Sequence, residues 1–378
     1  MRSPGFLSKI GRLAGLNTLD GQYIDAATIP QSKLDAATSA LIDGAVNRNV
    51  LDNGDFQIWQ RGTTIISTGQ FNNDDTDVCA DRWILLSDGN DVFDVSRVDA
   101  DSGCLSRYFL RLTVTATNNL KGGIFQVVEG GLSRVLVLGS TVTLSFRAKV
   151  SNTAIELIRY GVMEWDGTED GFGAEPITAW NAEGSPPSPV SDWKQDTALA
   201  TSAPTTAWVD YSTTVTLQTD TKNIGVFIMS DSKSNTAGQT IDIADVQLES
   251  GSAVTAFERR AFHTELAAAQ RHFAKTFDYG TAPVTNVADR GGTIYAQGDG
   301  ALDCFMVYHL PVVMFKVPTV VAYNPENASN DAQRQDSAAQ LAMATSTMTN
   351  DRVAVMENQG AATSGIGYIT HLTAETGF

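Results

Sequence analysis

The chain has 378 residues, a formal net charge of −17, 42% hydrophobic residues and three cysteines. Because affinity for nucleic acid comes chiefly from Lys and Arg displacing counterions, this charge argues against a nucleic-acid-binding protein. The length suits two or three domains, and an odd number of cysteines without metal-type spacing excludes a complete disulfide framework.

No run of the sequence approaches the ~20 apolar residues of a membrane span, and its start lacks the apolar core of a secretory signal. We therefore expect no membrane span. Thr, Val, Gly and Asn are abundant and occur in short alternating runs, which favours strands over helices. The sequence predicts a mainly β protein.

The first fifteen residues are the basic end of an acidic chain. Leu7, Ile10 and Leu13 fall on one side of a short predicted helix, beside Lys9 and Arg12. We interpret the three apolar residues as a candidate anchor. A frayed terminus and a membrane-surface helix are the alternatives, because helices under ~12 residues are marginal without a partner.

A second short helical segment is predicted after Thr28. Leu34 and Leu41 lie seven residues apart with Ala37 between them, which is the spacing of a coiled-coil seam. Two heptads are fewer than the three or four that establish a coiled coil, so the pattern indicates a short oligomerising stalk without requiring one.

From Leu51 onward, about eight strand-like runs are separated by Gly, Asn and Asp. The segment TVTLSFRAKV at residues 141–150 alternates most regularly, with apolar residues at every even position. Such alternation predicts a strand with one buried and one wet face. The number and spacing of these runs predict a jelly-roll β-sandwich over residues 51–259.

Between residues 164 and 207 the alternation lapses into a Gly-, Pro- and acid-rich excursion that contains Trp165, Trp180 and Trp193. Sugar binding needs aromatic faces beside carboxylates, so these tryptophans and Glu164 are candidate glycan-binding residues. Packing against a neighbouring subunit is the alternative role.

The other three tryptophans lie outside this excursion. Trp83 and Trp208 fall within strand-like segments, and we expect both in the core. The position of Trp59 is left open.

The stretch Ile241–Phe277 joins the two halves of the chain. Its alternation changes phase at Ala244 and Asp245, which predicts a bulge. A helical stripe follows, formed by Leu266, Ala269, Phe273 and Phe277, with Thr264 as its predicted cap. We expect a linker helix within residues 260–279, acting as a hinge to a small C-terminal β domain at residues 280–378.

Within this C-terminal domain, residues 325–350 are predicted to form a polar excursion between strands.

Several of these segments together resemble bacteriophage or prophage virion appendages of the tail-fibre type. They are DGQYIDAATIPQSKLDAAT as a stalk, NGDFQIWQRGT, ADRW, LRLTVTA, TVTLSFRAK, IADVQLESGSAVTAFERR and TELAAAQRHF. The resemblance covers about residues 20–320. It implies a jelly roll like that of carbohydrate-binding modules, a C-terminal β domain, and a homotrimer attached to other virion proteins through residues 1–50.

The resemblance also implies a structural calcium, held by a carboxylate in an N-G-x-F-E motif and by an aspartate in the closing strand. Asp245 fits the second position, but Gln57 stands where the motif has its carboxylate. Asp55 could substitute, although an alternating strand would point it to the other face. The alternative is that Asp245 makes a hydrogen bond at the bulge.

Catalytic motifs are not evident. The four histidines lack metal-type spacing, and no carboxylate pair can be assigned to a glycosidase cleft from spacing alone. We therefore predict a non-enzymatic homotrimeric fibre or spike that attaches to host-surface polysaccharide. The alternatives are a head, neck or collar component that binds no receptor, and a particle-bound glycan depolymerase.

Overall fold

The computed structural model describes residues 48–65, 78–89, 92–117, 120–139, 141–173, 175–195, 197–232, 235–287, 290–299 and 303–377. By its contacts the chain divides into Met1–Arg48 and Asn49–Phe378, and nearly all of the described residues belong to the second unit. Within the described ranges, no helix has the length and apolar character needed to cross a membrane.

Six antiparallel strands form a front sheet. They are β1 (Thr64–Ile65), β3 (Phe93–Asp99), β4 (Tyr108–Val114), β6 (Thr141–Val150), β12 (Val209–Thr216) and β14 (Thr240–Ser250). Their order is β1-β3-β4-β14-β6-β12. The closing strand β14 therefore lies between β4 and β6, far from its neighbours in sequence.

A back sheet packs against the front sheet. Its strands are β2 (Ile84–Ser87), β5 (Gly122–Val128), β7 (Ile158–Trp165), β10 (Trp193–Lys194), β11 (Ala200–Ser202) and β13 (Asn223–Ser230). The order is β10-β7-β13-β5-β2, with β11 also paired to β7. Helix α1 (Gly130–Gly139) follows β5, and the excursion contains the two-stranded pair β8 (Ile177–Ala179) and β9 (Ser188–Pro189).

One apolar core fills the space between these sheets. The even-numbered residues of β6, such as Leu144 and Phe146, are buried there with Val162 and Val226 of the back sheet. The predicted alternation is confirmed, and so is the predicted jelly-roll β-sandwich.

The predicted bulge lies in β14. Pairing with β6 shifts register between Ala244 and Gln247, and Asp245 has a φ of 53°. The Val246 amide donates to the Gly54 carbonyl at 2.9 Å. A side chain on Gly54 would overlap the Val246 carbonyl, so only glycine allows this close approach.

The helix after the sandwich is shorter than predicted. Helix α2 (Phe262–Gln270) begins after Ala261, which is its N-cap without a side-chain hydrogen bond, so Thr264 is not the cap. Phe273 lies instead in β15 (Phe273–Lys275), which pairs with β23 (Gly367–Glu375). Pairing with a strand almost a hundred residues later overrides the local helical spacing.

The C-terminal region is organised around β23. The strands are β16 (Ile294–Gln297), β17 (Cys304–His309), β18 (Thr319–Tyr323), β19 (Asp331–Arg334), β20 (Gln340–Ala342), β21 (Ala344–Thr345) and β22 (Val353–Asn358). β15, β16, β18 and β19 all pair with β23, while β17, β22 and β21 form a separate sheet. The predicted polar excursion at 325–350 therefore contains three short strands.

Residues 262–377 meet the sandwich across a buried polar contact, here called the joint. Gln60 Nε2 donates to the Phe273 carbonyl at 2.9 Å, and Lys275 Nζ donates back to the Gln60 carbonyl at 2.6 Å. Glu129 binds Arg271 and His272, each at 3.0 Å. These contacts make the joint a packed interface rather than a free hinge, while the predicted domain boundaries at 259 and 279 stay predictions.

Candidate functional site

The three tryptophans of the excursion are brought together but are not open to solvent. Trp165 and Trp180 are each 8% exposed and Trp193 is 2% exposed. The Trp165 and Trp193 rings are 5.5 Å apart, and Trp180 lies 6.1 Å from Phe227 of β13. These rings form a second apolar cluster on the outer side of the back sheet, and their predicted role in glycan binding stays a prediction.

Buried charges hold the excursion over this cluster. Lys121 pairs with Asp231 and also donates to the Ala182 and Ser185 carbonyls at 2.8 and 3.0 Å. Arg159 binds Asp231 at 2.7 Å and the Gly184 carbonyl at 2.8 Å. Because a buried charge must be paired and hydrogen-bonded, these contacts fix the excursion as a cover.

Glu164 is also buried. Its Oε2 accepts hydrogen bonds from the Gln218 amide at 2.7 Å and from the Thr221 hydroxyl at 2.5 Å. The carboxylate therefore supports the turn at residues 218–221. Its predicted part in glycan binding stays a prediction.

An open cleft of about 400 Å³ lies on the outer side of the front sheet and is here called the outer-face cleft. Leu105, Arg147, Asp210, Ser212, Asp245 and Val254 are among its lining residues. Cross-strand pairing places Arg147 opposite Asp210, and Ser145 opposite Ser212, on the wet face of β6 and β12. Leu105 and Val254 are exposed and form an apolar rim.

The charged residues of this cleft are held in place. Arg147 Nε lies 2.8 Å from Asp210 Oδ1, and the Asp210 side chain is 84% exposed. Arg147 also donates to the Gly103 carbonyl. The cleft thus presents a fixed guanidinium, an accessible carboxylate and hydroxyls beside apolar surface, which can bind a ligand that combines hydroxyls with apolar faces.

Trp208 lies near this cleft on the same face of the sheet, half-buried rather than in the core as predicted. Its ring meets Phe109 edge-on at 5.3 Å, and its Nε1 donates to Asp101 at 2.7 Å. Lys149 Nζ lies 4.9 Å from the ring. The hydrogen bonds from Lys149 and Trp208 lower the pKa of Asp101. Trp208 is therefore held in place and partly open to solvent.

A sequence signal for Trp208 existed. Trp208 has the same parity as Asp210, Ser212 and Thr214, which are the polar positions of β12. Because alternate residues of a strand share a face, this parity places the indole on the wet side. By contrast, Trp59 and Trp83 are fully buried in the sandwich core, as predicted for Trp83.

Asp245 is buried, and the half-buried Asp55 lies close enough to feel its charge. Ser106 donates to Asp245 Oδ1, so the alternative of a hydrogen bond at the bulge is present in the structure. Asp245 Oδ2 and Asp55 Oδ1 are buried and have no hydrogen-bond partner among the described residues. Burial raises the pKa of Asp245, and burial with the charge of Asp245 raises the pKa of Asp55 to about 6.

These two carboxylates suit part of a calcium shell. Calcium takes six to eight oxygen ligands, and two unpartnered carboxylate oxygens match that preference. The described residues contain no cluster of three or more His, Cys, Asp or Glu arranged for a metal. Carbonyls and water would therefore complete the shell. Asp55 belongs to an irregular segment rather than a strand, so strand alternation does not fix where it points.

The predicted anchor and stalk residues, Leu7, Ile10, Leu13, Leu34, Ala37 and Leu41, lie outside the described residues. Their roles stay predictions.

Comparison with known proteins gave matches only among solved structures, since no family model and no curated protein matches the chain. The enzymatically active domain of tailspike protein 4 from bacteriophage CBA120 matches at 16% identity and a TM-score of 0.32, over 53% of this chain and 21% of that one. A putative sugar-binding protein from Bacteroides thetaiotaomicron matches at 13% identity and a TM-score of 0.33, over 54% and 100%.

A family 11 carbohydrate-binding module of a Clostridium thermocellum cellulase matches at 15% identity and a TM-score of 0.28, over 50% of this chain and 98% of that one. In the comparison with tailspike protein 4, this chain spans about a fifth of the length of the tailspike domain. At these TM-scores the matches carry no functional argument, and the case for function rests on the residues described above.

Proposed function

We propose that this chain is a virion appendage protein of a bacteriophage or prophage that binds a polysaccharide of the host surface without cleaving it. The observation that carries the binding proposal is the outer-face cleft with Trp208 beside it. Trp208 and Arg147 are fixed by neighbouring residues, Asp210 pairs with Arg147, and all three lie on the solvent-exposed face of the front sheet. Sites of this kind combine an apolar surface with a few oriented polar groups.

The chemistry of a sugar matches this arrangement. The C–H face of a pyranose ring packs on the open part of Trp208 or on the Leu105 and Val254 rim, which removes apolar surface from water. The Asp210 carboxylate accepts hydrogen bonds from sugar hydroxyls, and Ser212 both donates and accepts. Because Arg147 neutralises Asp210 locally, the cleft has no strong preference for a charged sugar.

The location and the assembly in this proposal rest on the sequence resemblance. Residues 1–50 attach the chain to other virion proteins, through Leu7, Ile10 and Leu13, and trimerise it through Leu34, Ala37 and Leu41. Binding without cleavage is proposed because the sequence has no recognisable nucleophile motif. A tail, neck or head position is equally compatible with this assignment.

The binding proposal is tested with Trp208→Ala and Asp210→Asn on an array of bacterial surface polysaccharides, followed by interferometry on the polysaccharides that bind. Each variant should weaken binding at least tenfold, equivalent to about 1.4 kcal/mol. Tyr295→Ala is the matched control, because Tyr295 is 62% exposed but lies on β16, away from this face. Its affinity should equal that of the wild type.

Two results would contradict the proposal. Unchanged affinity in both Trp208→Ala and Asp210→Asn, with melting temperatures like the wild type, would remove the outer-face cleft as the site. Release of reducing ends from a bound polysaccharide would show a depolymerase instead of a binding protein.

A further inference from the structure

A second and larger cleft, here called the joint cleft, lies where Arg61 of the sandwich meets the sheet formed by β15, β18 and β23. Its volume is about 540 Å³, within the range of about 300–1,000 Å³ found for small-molecule sites. Such sites occur preferentially where two structural layers meet. The outer-face cleft shares none of its lining residues.

Strand register forms the floor of the joint cleft. Glu375 of β23 pairs with Phe273 on one side and with Thr319 on the other. Thr373, two residues earlier and therefore on the same face, pairs with Val321. Aromatic, hydroxyl, carboxylate and aliphatic side chains are thus set side by side on one sheet face.

Arg61 is fixed at the wall of this cleft by three contacts. Its guanidinium carbon lies 3.6 Å from the centroid of the Phe273 ring. Its Nη2 lies 2.6 Å from Glu375 Oε1, and its Nη1 lies 3.6 Å from Asp81 Oδ1. The Glu375 side chain remains 42% exposed. A buried arginine therefore orients a carboxylate that is still accessible to a ligand.

The charges and the apolar groups restrict the ligand. Arg61 is matched by Glu375 and Asp81, so the cleft has no excess positive charge to attract a phosphate or an acidic sugar. Val317, which is 61% exposed, and Pro283 supply apolar wall, and the half-buried Tyr323 ring meets Phe277 edge-on at 5.5 Å. A flat ligand with one apolar face and several neutral hydroxyls fits these groups.

We propose that the joint cleft is a second saccharide site, which binds a neutral hexopyranose unit. Its ring packs against Val317 and Tyr323, and adjacent hydroxyls donate to the Glu375 carboxylate. Thr319 lies within the same face and adds a hydroxyl that can donate or accept. This site is independent of the outer-face cleft and stands if that cleft binds nothing.

The test is saturation-transfer NMR on the full chain with methyl glycosides of glucose, galactose, mannose and N-acetylglucosamine at millimolar concentration. At least one glycoside should still bind Trp208→Ala, in which the outer-face cleft is disabled. Adding Glu375→Gln or Val317→Asp to Trp208→Ala should each reduce that remaining signal at least fivefold. Val317 is exposed, so Val317→Asp keeps the test valid if Glu375→Gln perturbs the Arg61 ion pair.

Glu357→Gln is the matched control, because Glu357 lies on β22, outside the cleft, and should bind as the wild type does. The proposal is overturned if no glycoside gives a signal with Trp208→Ala. It is equally overturned if the binding that remains in Trp208→Ala survives the addition of both Glu375→Gln and Val317→Asp. Loss of binding in Trp208→Ala alone would assign all sugar binding to the outer-face cleft.

Discussion

At the scale of single residues, Asp245 carries the most unusual environment in the sandwich. Its φ of 53° lies in the left-handed region, which few residues other than glycine adopt. The bulge that requires this conformation also turns the carboxylate toward Ser106 and leaves Oδ2 buried without a partner. Strained, underbonded carboxylates of this kind are found where an ion or ligand completes the site.

Calcium binding at Asp245 and Asp55 is therefore a prediction with a direct test. Calcium would replace the mutual repulsion of the two carboxylates with attraction and should raise the melting temperature. A ligand at a hundred times its dissociation constant stabilises the folded state by about 2.7 kcal/mol. The measurement is calorimetry with calcium and then with an excess of chelator.

Asp245→Asn should abolish the calcium effect, and magnesium should give little of it because magnesium favours a small octahedral shell. Equal melting temperatures with calcium and with chelator would exclude the site. An undiminished calcium effect in Asp245→Asn would place the ion elsewhere.

The tryptophans show which residue positions the sequence could predict. Alternate residues of β12 share one face of the strand, and this local pattern correctly assigns Trp208 to the solvent-exposed face. The burial of Trp165 and Trp193 depends on the excursion that packs over them. Lys121, Asp231 and Arg159, from three separate strands or loops, hold that excursion in place. No local pattern reports such a tertiary contact.

At the scale of elements, helix α2 brings an acid into the joint. Glu265 is buried, and its Oε2 accepts a hydrogen bond from the Asn53 amide at 2.7 Å. Arg260 Nη1 lies 3.3 Å from its Oε1, while Asp52 and Asp55 add negative charge. Burial raises the pKa of Glu265 from 4.5 to about 7, despite the opposing effect of Arg260.

This raised pKa predicts a pH-dependent stability. A carboxyl group whose pKa is higher in the folded state contributes its full stabilisation below about pH 4.5 and loses it as the pH rises through about 7. The contribution of Glu265 to the free energy of unfolding should therefore fall by about 3 kcal/mol across that window, since one pKa unit corresponds to about 1.4 kcal/mol.

The measurement is urea denaturation of the wild type and Glu265→Gln at closely spaced pH values. Glu265→Gln keeps an oxygen for the Asn53 amide but does not titrate, so its unfolding free energy should change less between pH 4.5 and 7. Glu156→Gln is the control, because Glu156 is exposed. Parallel pH profiles for wild type and Glu265→Gln would refute the assignment.

Elements differ in how far sequence predicts them. The strand β6 and the bulge in β14 follow from alternation, because each is decided by which side chains face one core. The end of α2 cannot be predicted from local alternation, because the residues that follow it form β15, which pairs with β23 near the end of the chain. The same strand organises β16, β18 and β19, so the C-terminal sheet depends on long-range register.

At the scale of the whole molecule, the joint fixes the sandwich to the C-terminal sheets within the unit Asn49–Phe378. Trp59 and Tyr279 add to this contact through a hydrogen bond of 2.9 Å from the Trp59 amide to the tyrosine hydroxyl. The outer-face cleft and the joint cleft belong to this one unit. If both clefts bind sugar as proposed, one polysaccharide chain could engage them together, which would raise its effective affinity.

The proposed trimer would multiply the same effect, and the predicted stalk can be tested for its part in assembly. Burying an aspartate in the predicted seam is strongly unfavourable, so Leu34→Asp combined with Leu41→Asp should convert the trimer to a monomer by native mass spectrometry. The variant should bind a soluble oligosaccharide as the wild type does, but lose at least tenfold in binding to a polysaccharide-coated surface, where avidity acts. Leu105→Asp, on the outer-face cleft rim, should weaken binding to both the soluble oligosaccharide and the coated surface and leave the trimer intact. A wild-type monomer, or an intact trimer in the double variant, would remove the stalk from the assembly.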